Sequence, residues 1–561
     1  MTAYRLAALL IGLLLPGAAA AQTITGQVKD QSGAPVRGAF VQLFNIENTR
    51  VAALLSGVDG RFVFRTPPGT YSLRVDLIGH RTATVQRIAL GERDTRSLSI
   101  ALETSAVRLQ ALQVTTSKRC RLDANSAHAT STVWKEAARA LEVSRWVESG
   151  GAGVFRSRVY EQELDGNLQP ARRPDMRFLT RPGTKAFFAL SPDSLSRFGF
   201  IRADADSVLL YGPDAEVLLS DIFLNDHCFW LERDPKLPGL IGLGFEPAPG
   251  RRVAEIRGVL WIDEATSALR FIDYGYVNQE HFENKRYAGG RTEFEHLPSG
   301  AWIIRKWYIR APLLTRSARG IVQIAGAIET GGDVLDVAEP NHVATVFVPR
   351  FTVEGIVFDS TTSRPLAGAE VYLAGTGFSA VADEQGGFAI GDVPQGDYYI
   401  AFAHPRMDSL PEYPAPTPLR VDSAMPELEL AIASSETIAE QWCPAEERLR
   451  VLQLTFDTAS TNRGFVFGQV RTNNGPLEGA VVRLRWKRLE MPTPYLKDAL
   501  VKPVTLEIDT DRSGRFSFCG APIAHPLTVE VRVGRERLID PELRVGWDLL
   551  VYRDYLFTRG Q

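Results

Sequence analysis

The chain has 561 residues, of which 45% are hydrophobic and 23% charged, with a formal net charge of −3. This is ordinary globular composition, and the length allows about four domains, each able to bury its own core. The near-neutral balance gives no electrostatic case for nucleic acid or anionic lipid.

Residues 1–21 read as a secretory signal peptide. Arg5 supplies the positive start, and Leu6 to Leu15 is an apolar run too short to span a bilayer. Pro16-Gly17 breaks it, and Ala19-Ala20-Ala21 forms a small-residue cleavage site before Gln22. The residue after the cut is not Cys, so a lipoprotein anchor is not expected, and no later apolar run is long enough to cross a membrane. The expectation is an exported protein, periplasmic or secreted, associated with an outer membrane only through partners.

Residues 22–103 predict a β-sandwich. Gly26-Gln27-Val28 is followed by Pro35-Val36-Arg37-Gly38-Ala39-Phe40-Val41-Gln42-Leu43, then Gly60-Arg61-Phe62-Val63-Phe64 and Pro68-Gly69-Thr70-Tyr71. Pro fixes φ and Gly permits positive φ, so the Pro-x-x-Gly-Ala step bends the chain between strands. The alternation after it reads as a half-buried strand. Leu109 to Thr116 is similar to the strand that joins such a domain to the plug of TonB-dependent receptors, but the chain lacks the long series of amphipathic strands a barrel needs.

Residues 104–350 predict an α+β domain. Helices are expected at Val133 to Glu148 and Asp214 to Asp226, and a hairpin from Val154 that turns near Asp165-Gly166. A meander follows through Val253 to Ile262, Ala268 to Val277, Arg291 to His296 and Trp302 to Ala311. Its Gly258-Val259-Leu260-Trp261-Ile262-Asp263 run resembles the curved antiparallel sheet of periplasmic lipoprotein-carrier proteins, which implies lipid handling.

Residues 351–433 repeat the first pattern: Gly355-Ile356-Val357, Pro365-Leu366-Ala367-Gly368-Ala369, Gly386-Gly387-Phe388 and Pro394-Gln395-Gly396-Asp397-Tyr398. Residues 434–463 are a linker with a short helix expected near Ala445 to Val451. Residues 464–561 repeat it again, with Pro476-Leu477-Glu478-Gly479-Ala480 and Gly514-Arg515-Phe516, but lose the Pro-x-Gly-x-Tyr motif. A surface loop is expected from Arg488 to Lys502. Gly38, Gly60, Gly69, Gly368, Gly386, Gly396, Gly479 and Gly514 are thus the structural turn and motif positions.

This motif order resembles the carboxypeptidase regulatory-like domain, a transthyretin-like β-sandwich with a carbohydrate-binding-like fold. The resemblance implies three such sandwiches plus the α+β domain, a mainly β protein. It also raises zinc carboxypeptidase activity. Those enzymes bind zinc through His-x-x-Glu, and none of the eight histidines here has Glu three residues later. No catalytic, cofactor or metal site is expected.

Four cysteines, Cys120, Cys228, Cys443 and Cys519, favour disulfides in an exported chain. Cys120–Cys228 and Cys443–Cys519 keep each pair within one stretch of the chain. The alternative, Cys228 as a nucleophile, is disfavoured because adjacent strand residues such as His227 point to opposite faces. Asp383 and Asp511 suit β-turns better than calcium loops. Tyr71, Tyr398, Tyr399, Trp302, Trp307 and Trp486 are candidates for a sugar platform, but Tyr71 and Tyr398 suit a core or corner role. Odd spacing would put Trp302 and Trp307 on opposite faces of one strand. The favoured function is a non-enzymatic cell-envelope protein with binding or spacer modules and an envelope protein or glycan partner. Carbohydrate binding and apolar-ligand transport through residues 104–350 are the alternatives.

Overall fold

The turn glycines set the strand order in a computed structural model that describes residues 22–104, 124–183, 185–187, 189–203, 208–279, 282–316, 322–340, 343–410, 413–443, 463–490 and 500–558. The segment expected to be a signal peptide, Cys120 and the helix expected near Ala445 lie outside these residues. One compact unit runs to Phe347, and a second begins at Val348.

The first unit opens with β1 (Gln22–Lys29), β2 (Phe40–Phe44), β3 (Arg50–Leu55), β4 (Arg61–Thr66), β5 (Gly69–Asp76), β6 (Ala83–Leu90) and β7 (Thr95–Ala101). They form two sheets, β4-β1-β7 and β3-β2-β5-β6, with β7 parallel to β1. Gly38 takes φ +74° and Gly60 takes φ +71°, left-handed values that admit glycine at little cost. Tyr71 donates its hydroxyl to the Pro67 carbonyl at 2.8 Å, which pins the corner of the motif.

Then come α1 (Ala124–Glu148), β8 (Val154–Leu164), β9 (Asp175–Pro182), α2 (Pro192–Phe198), β10 (Ile201–Ala203), β11 (Val208–Leu210), α3 (Ala215–Leu218) and α4 (Asp221–Asp226). Next are β12 (His227–Glu232), β13 (Leu240–Pro247), β14 (Glu255–Asp263), β15 (Leu269–Val277), β16 (Gly289–His296), β17 (Trp302–Arg316), β18 (Val322–Ala338) and β19 (Thr345–Val346). Ten strands make one antiparallel sheet in the order β12-β13-β14-β15-β16-β17-β18-β8-β9, with β19 beside β18. The meander is as expected, but α1 starts nine residues early, and its buried stripe is Val133, Ala137, Ala140, Leu141 and Val147. The helix expected over Asp214 to Asp226 is two helices. Asp214 caps α3 by accepting from the Val217 amide, and Ser220 restarts the chain as the cap of α4.

The second unit holds β20 (Arg350–Asp359), β21 (Arg364–Pro365), β22 (Glu370–Leu373), β23 (Ser379–Val381), β24 (Gly387–Pro394), β25 (Gly396–Ala403), β26 (Thr417–Val421), β27 (Leu428–Ile432) and α5 (Ser435–Trp442). It continues with β28 (Arg463–Thr472), β29 (Gly475–Pro476), β30 (Val481–Glu490), β31 (Leu500–Asp509), β32 (Arg515–Pro522), β33 (Leu527–Val533), β34 (Glu536–Leu543) and β35 (Leu550–Phe557). Two more sandwiches result, each with the pairing of the first: β20 lies antiparallel to β24 and parallel to β27, and β28 antiparallel to β32 and parallel to β35. Gly60, Gly386 and Gly514 are equivalent, since an added Cβ would strike the Val28, Val357 and Val470 carbonyls respectively. Gly368 and Gly479 match Gly38, with φ +78° and +75°, whereas Gly69 and Gly396 open strands without positive φ. The stretch expected as a loop from Arg488 is strand as far as Glu490 and again from Leu500, because β30 and β31 pair along their whole length.

Candidate functional site

The first sandwich docks on α1 and the β16–β17 turn instead of standing apart. Gly38 and Gly300 meet backbone to backbone: a Cβ on Gly38 would lie 2.8 Å from the Gly300 Cα, and one on Gly300 would come closer still to Gly38. Phe40 belongs to the buried core of the α+β domain and packs on Trp146 at 5.5 Å between ring centroids. Glu136 on α1 pairs with Arg139 and accepts the Gly79 amide at 3.0 Å, and Arg74 lies 3.7 Å from Glu142. Both links tie the sandwich to α1.

This docking leaves a cleft of about 370 Å³ between the two parts. Phe40, Val143, Ala268, Phe294 and Trp302 give it apolar walls, while Asp76, Arg139, Arg270, Glu295 and His296 make it polar in places. Asp76 is held by Arg74 at 2.7 Å and by the Thr82 hydroxyl at 2.6 Å, and Arg270 by Asp263 at 2.9 Å. His296 stacks on Trp302 with centroids 4.9 Å apart, and burial pushes its imidazole below the ordinary value. A mostly apolar concavity with a few fixed polar groups is the usual make-up of a ligand site.

The opposite face of the large sheet is a charge ladder. Arg158 holds Asp333 through two bonds of 3.0 and 3.1 Å, and Arg291 holds Asp273 through two of 2.6 and 2.7 Å. Arg310 pairs with Glu329, which also accepts the Tyr160 hydroxyl at 2.9 Å. A second hollow of about 210 Å³ lies among these groups.

Beside α4 a third cluster is closed. Arg251 donates to Glu255 at 2.5 Å and lies 3.0 Å from Asp226. The His227 Nδ1 contacts the Phe223 carbonyl at 3.0 Å, while its Nε2 faces the Glu255 Oε2 at 3.6 Å with no hydrogen bond to either atom. Burial lifts the Glu255 carboxyl to about 7 and lowers the His227 imidazole to about 4. A neutral carboxyl facing a neutral imidazole follows near pH 5–6.

Cys443 and Cys519 form a disulfide with Cα atoms 5.9 Å apart, as the sequence predicts. Cys228 is also disulfide-bonded, which removes it as a nucleophile. Asp383 accepts the Gln385 and Gly387 amides, and Asp511 the Ser513 and Arg515 amides, so both act as turn formers. Among the described residues no three His, Cys, Asp or Glu side chains gather as a metal set. Of the aromatic candidates, Tyr71, Tyr398, Trp302, Trp307 and Trp486 are core residues and Tyr399 is half-buried. The expectation that Trp302 and Trp307 face opposite sides is corrected. A register shift pairs Phe294 with Ile304 but Glu293 with Lys306, so Arg305 is extra and both tryptophans reach the same core. Sequence reasoning missed the ladder because its partners lie up to 175 residues apart and are joined only by strand register, and the cleft because its walls come from segments brought together only by docking.

With this geometry in view, the comparisons identify the first and second sandwiches. The carboxypeptidase regulatory-like domain matches residues 23–103 and 352–422, so these two are members of that domain family. The third sandwich shares their strand pairing and lies outside the match. No curated protein matches the chain. Among solved structures, the chain is similar to the major pilin subunit of Bacillus cereus at 12% identity, over 73% of this chain and 98% of that one, with a TM-score of 0.13. It is also similar to a 3-chlorocatechol 1,2-dioxygenase from Rhodococcus opacus at 14% identity, over 15% of this chain, with a TM-score of 0.12. The chain spans 60% of that dioxygenase's length. Alignments with such scores carry no argument about function. Among the described residues no helix is long and apolar enough to cross a membrane.

Proposed function

We propose that this is an exported, non-catalytic binding protein of the cell envelope, and that the cleft between the first sandwich and the α+β domain receives its ligand or partner. In this reading the first sandwich and residues 104–350 act as one recognition unit. The sandwiches at 351–433 and 464–561 act as a spacer, stapled by Cys443–Cys519. The carrying observation is that Phe40, Leu77 and Ile78 come from the first sandwich and Val143, Phe294 and Trp302 from the α+β domain, so the site exists only where the parts meet. The inner face of the large sheet is filled by α1 and its buried stripe, which moves any apolar ligand out to this cleft.

The test is site-specific photocrosslinking in the native envelope. A photoreactive residue at His296, on the cleft rim, should give a defined adduct, whereas one at Gly33, an open turn with nothing within 4 Å, should not. Equal labelling at both positions, or none at His296, overturns the reading.

A further inference from the structure

The second hollow, on the charged face of the large sheet, carries three polar side chains that have no partner among the described residues. Arg158, Tyr160, Arg291, Glu293, Lys306, Tyr308 and Asp333 surround it, with the backbone at Gly332. The ladder commits Arg158 to Asp333, Arg291 to Asp273 and Tyr160 to Glu329. Among the described residues, Glu293, Lys306 and the Tyr308 hydroxyl have no such bond. Glu293 and Lys306 are direct cross-strand partners, a position where opposite charges normally attract at Cβ separations of about 5 Å. They nevertheless do not close into an ion pair with each other.

Two features explain the separation. Glu293 lies in the field of Arg291 and Arg305, and contributes to the electrostatics of both. Lys306 is paired in register with Asp333, whose carboxylate is already taken by Arg158. Burial raises the Tyr308 hydroxyl above its ordinary value, so it remains a donor at neutral pH. On the same face, Gly331 has no side chain, and Tyr160 covers it: an added Cβ would lie 2.5 Å from the Tyr160 ring and hydroxyl. Fixed ion pairs therefore frame a hollow in which, among the described residues, one cation, one anion and one hydroxyl are without a partner.

We propose that this hollow binds a small zwitterion of the α-amino acid type. Its carboxylate would sit against the Lys306 ammonium and the Tyr308 hydroxyl, and its ammonium against the Glu293 carboxylate. Opposite strand neighbours suit such a ligand, because the two charges of an α-amino acid are separated by only two bonds through Cα. The surrounding Arg–carboxylate pairs hold the walls rigid, which cuts the ordering cost of binding. This site is separate from the cleft above and does not depend on the function proposed for it.

The experiment is titration calorimetry of the full chain with L-alanine, against N-acetyl-L-alanine, L-alaninamide and glucose. Saturable binding of L-alanine is expected. Blocking either charge should weaken it at least tenfold, and so should Lys306→Met or Glu293→Gln in protein whose circular dichroism is unchanged. Lys502→Met, on an exposed strand of the other unit, should leave binding as it was. No saturable binding of L-alanine at millimolar concentration overturns the proposal. So does equal binding of the blocked forms, insensitivity to both variants, or preferential binding of glucose, which would make the hollow a sugar site.

Discussion

Replacing Gly300 by alanine tests the docking of the first sandwich directly. Gly300 has φ +98° and its Cβ position runs into the Gly38 backbone. Two costs follow: backbone strain of about 1–2 kcal/mol, and an overpacking cost of about 1–3 kcal/mol, because the Gly38 backbone has to withdraw. Gly79→Ala is the matched control. It has φ +74° with nothing within 4 Å of its Cβ, and its amide can still donate to Glu136. It therefore carries the strain without the clash. The assay is hydrogen exchange of the full chain, read at the Gly38 amide, bonded to the Ser56 carbonyl, and at the Leu297 amide, bonded to the Ala301 carbonyl. Gly300→Ala should speed exchange at both about tenfold or more beyond the effect of Gly79→Ala, since about 1.4 kcal/mol is a factor of ten. Equal effects of the two variants would refute the argument that close backbone approach fastens the sandwich to the α+β domain.

Three further outcomes are expected. Cys443→Ser with Cys519→Ser opens a link across 76 residues, worth about 4.5 kcal/mol in the chain-entropy model. The urea midpoint read from Trp442, which packs on Phe467, should fall, and an unchanged midpoint would contradict the staple role. Glu255 keeps its proton up to about pH 7 in the folded state, against an ordinary 4.5. Its contribution is therefore full below pH 4.5 and is lost as pH rises to 7, on the order of 3 kcal/mol. His227 has the opposite sign: its value falls to about 4, so its contribution is full above pH 6.5 and is lost as pH drops toward 4. Glu255→Gln should flatten the alkaline limb of the stability profile and leave the acid limb, as followed by thermal melts from pH 4 to 8. Tyr398→Phe removes the bond to the Pro394 carbonyl and should cost about 1 kcal/mol by denaturant titration of the second unit. A neutral result would deny the corner its role.

Much of the fold was legible because it is written in short-range chemistry. Pro365, Gly368 and Ala369 mark one turn wherever their counterparts occur, and Asp383 and Asp511 close their loops through amides two and four residues away. The meander strands follow from alternation alone. The lost Pro-x-Gly-x-Tyr motif left the end of the third sandwich open, yet β33, β34 and β35 complete the same pairing, because Leu527, Val529 and Val531 still alternate into its core. The helix expected over Asp214 to Asp226 was joined across Ser220 because the hydrophobic pattern continues through the cap.

Sequence by itself determined the three repeated sandwiches, the meander and the Cys443–Cys519 pairing, since each rests on local turn geometry, alternation or proximity along the chain. Only the tertiary structure decided that Gly38 meets Gly300, that a bulge at Arg305 turns Trp302 and Trp307 to one side, and that Glu293 and Lys306 face each other unpaired. These depend on strand register and on the approach of separate layers, and a one-residue change of register exchanges the two faces of a strand.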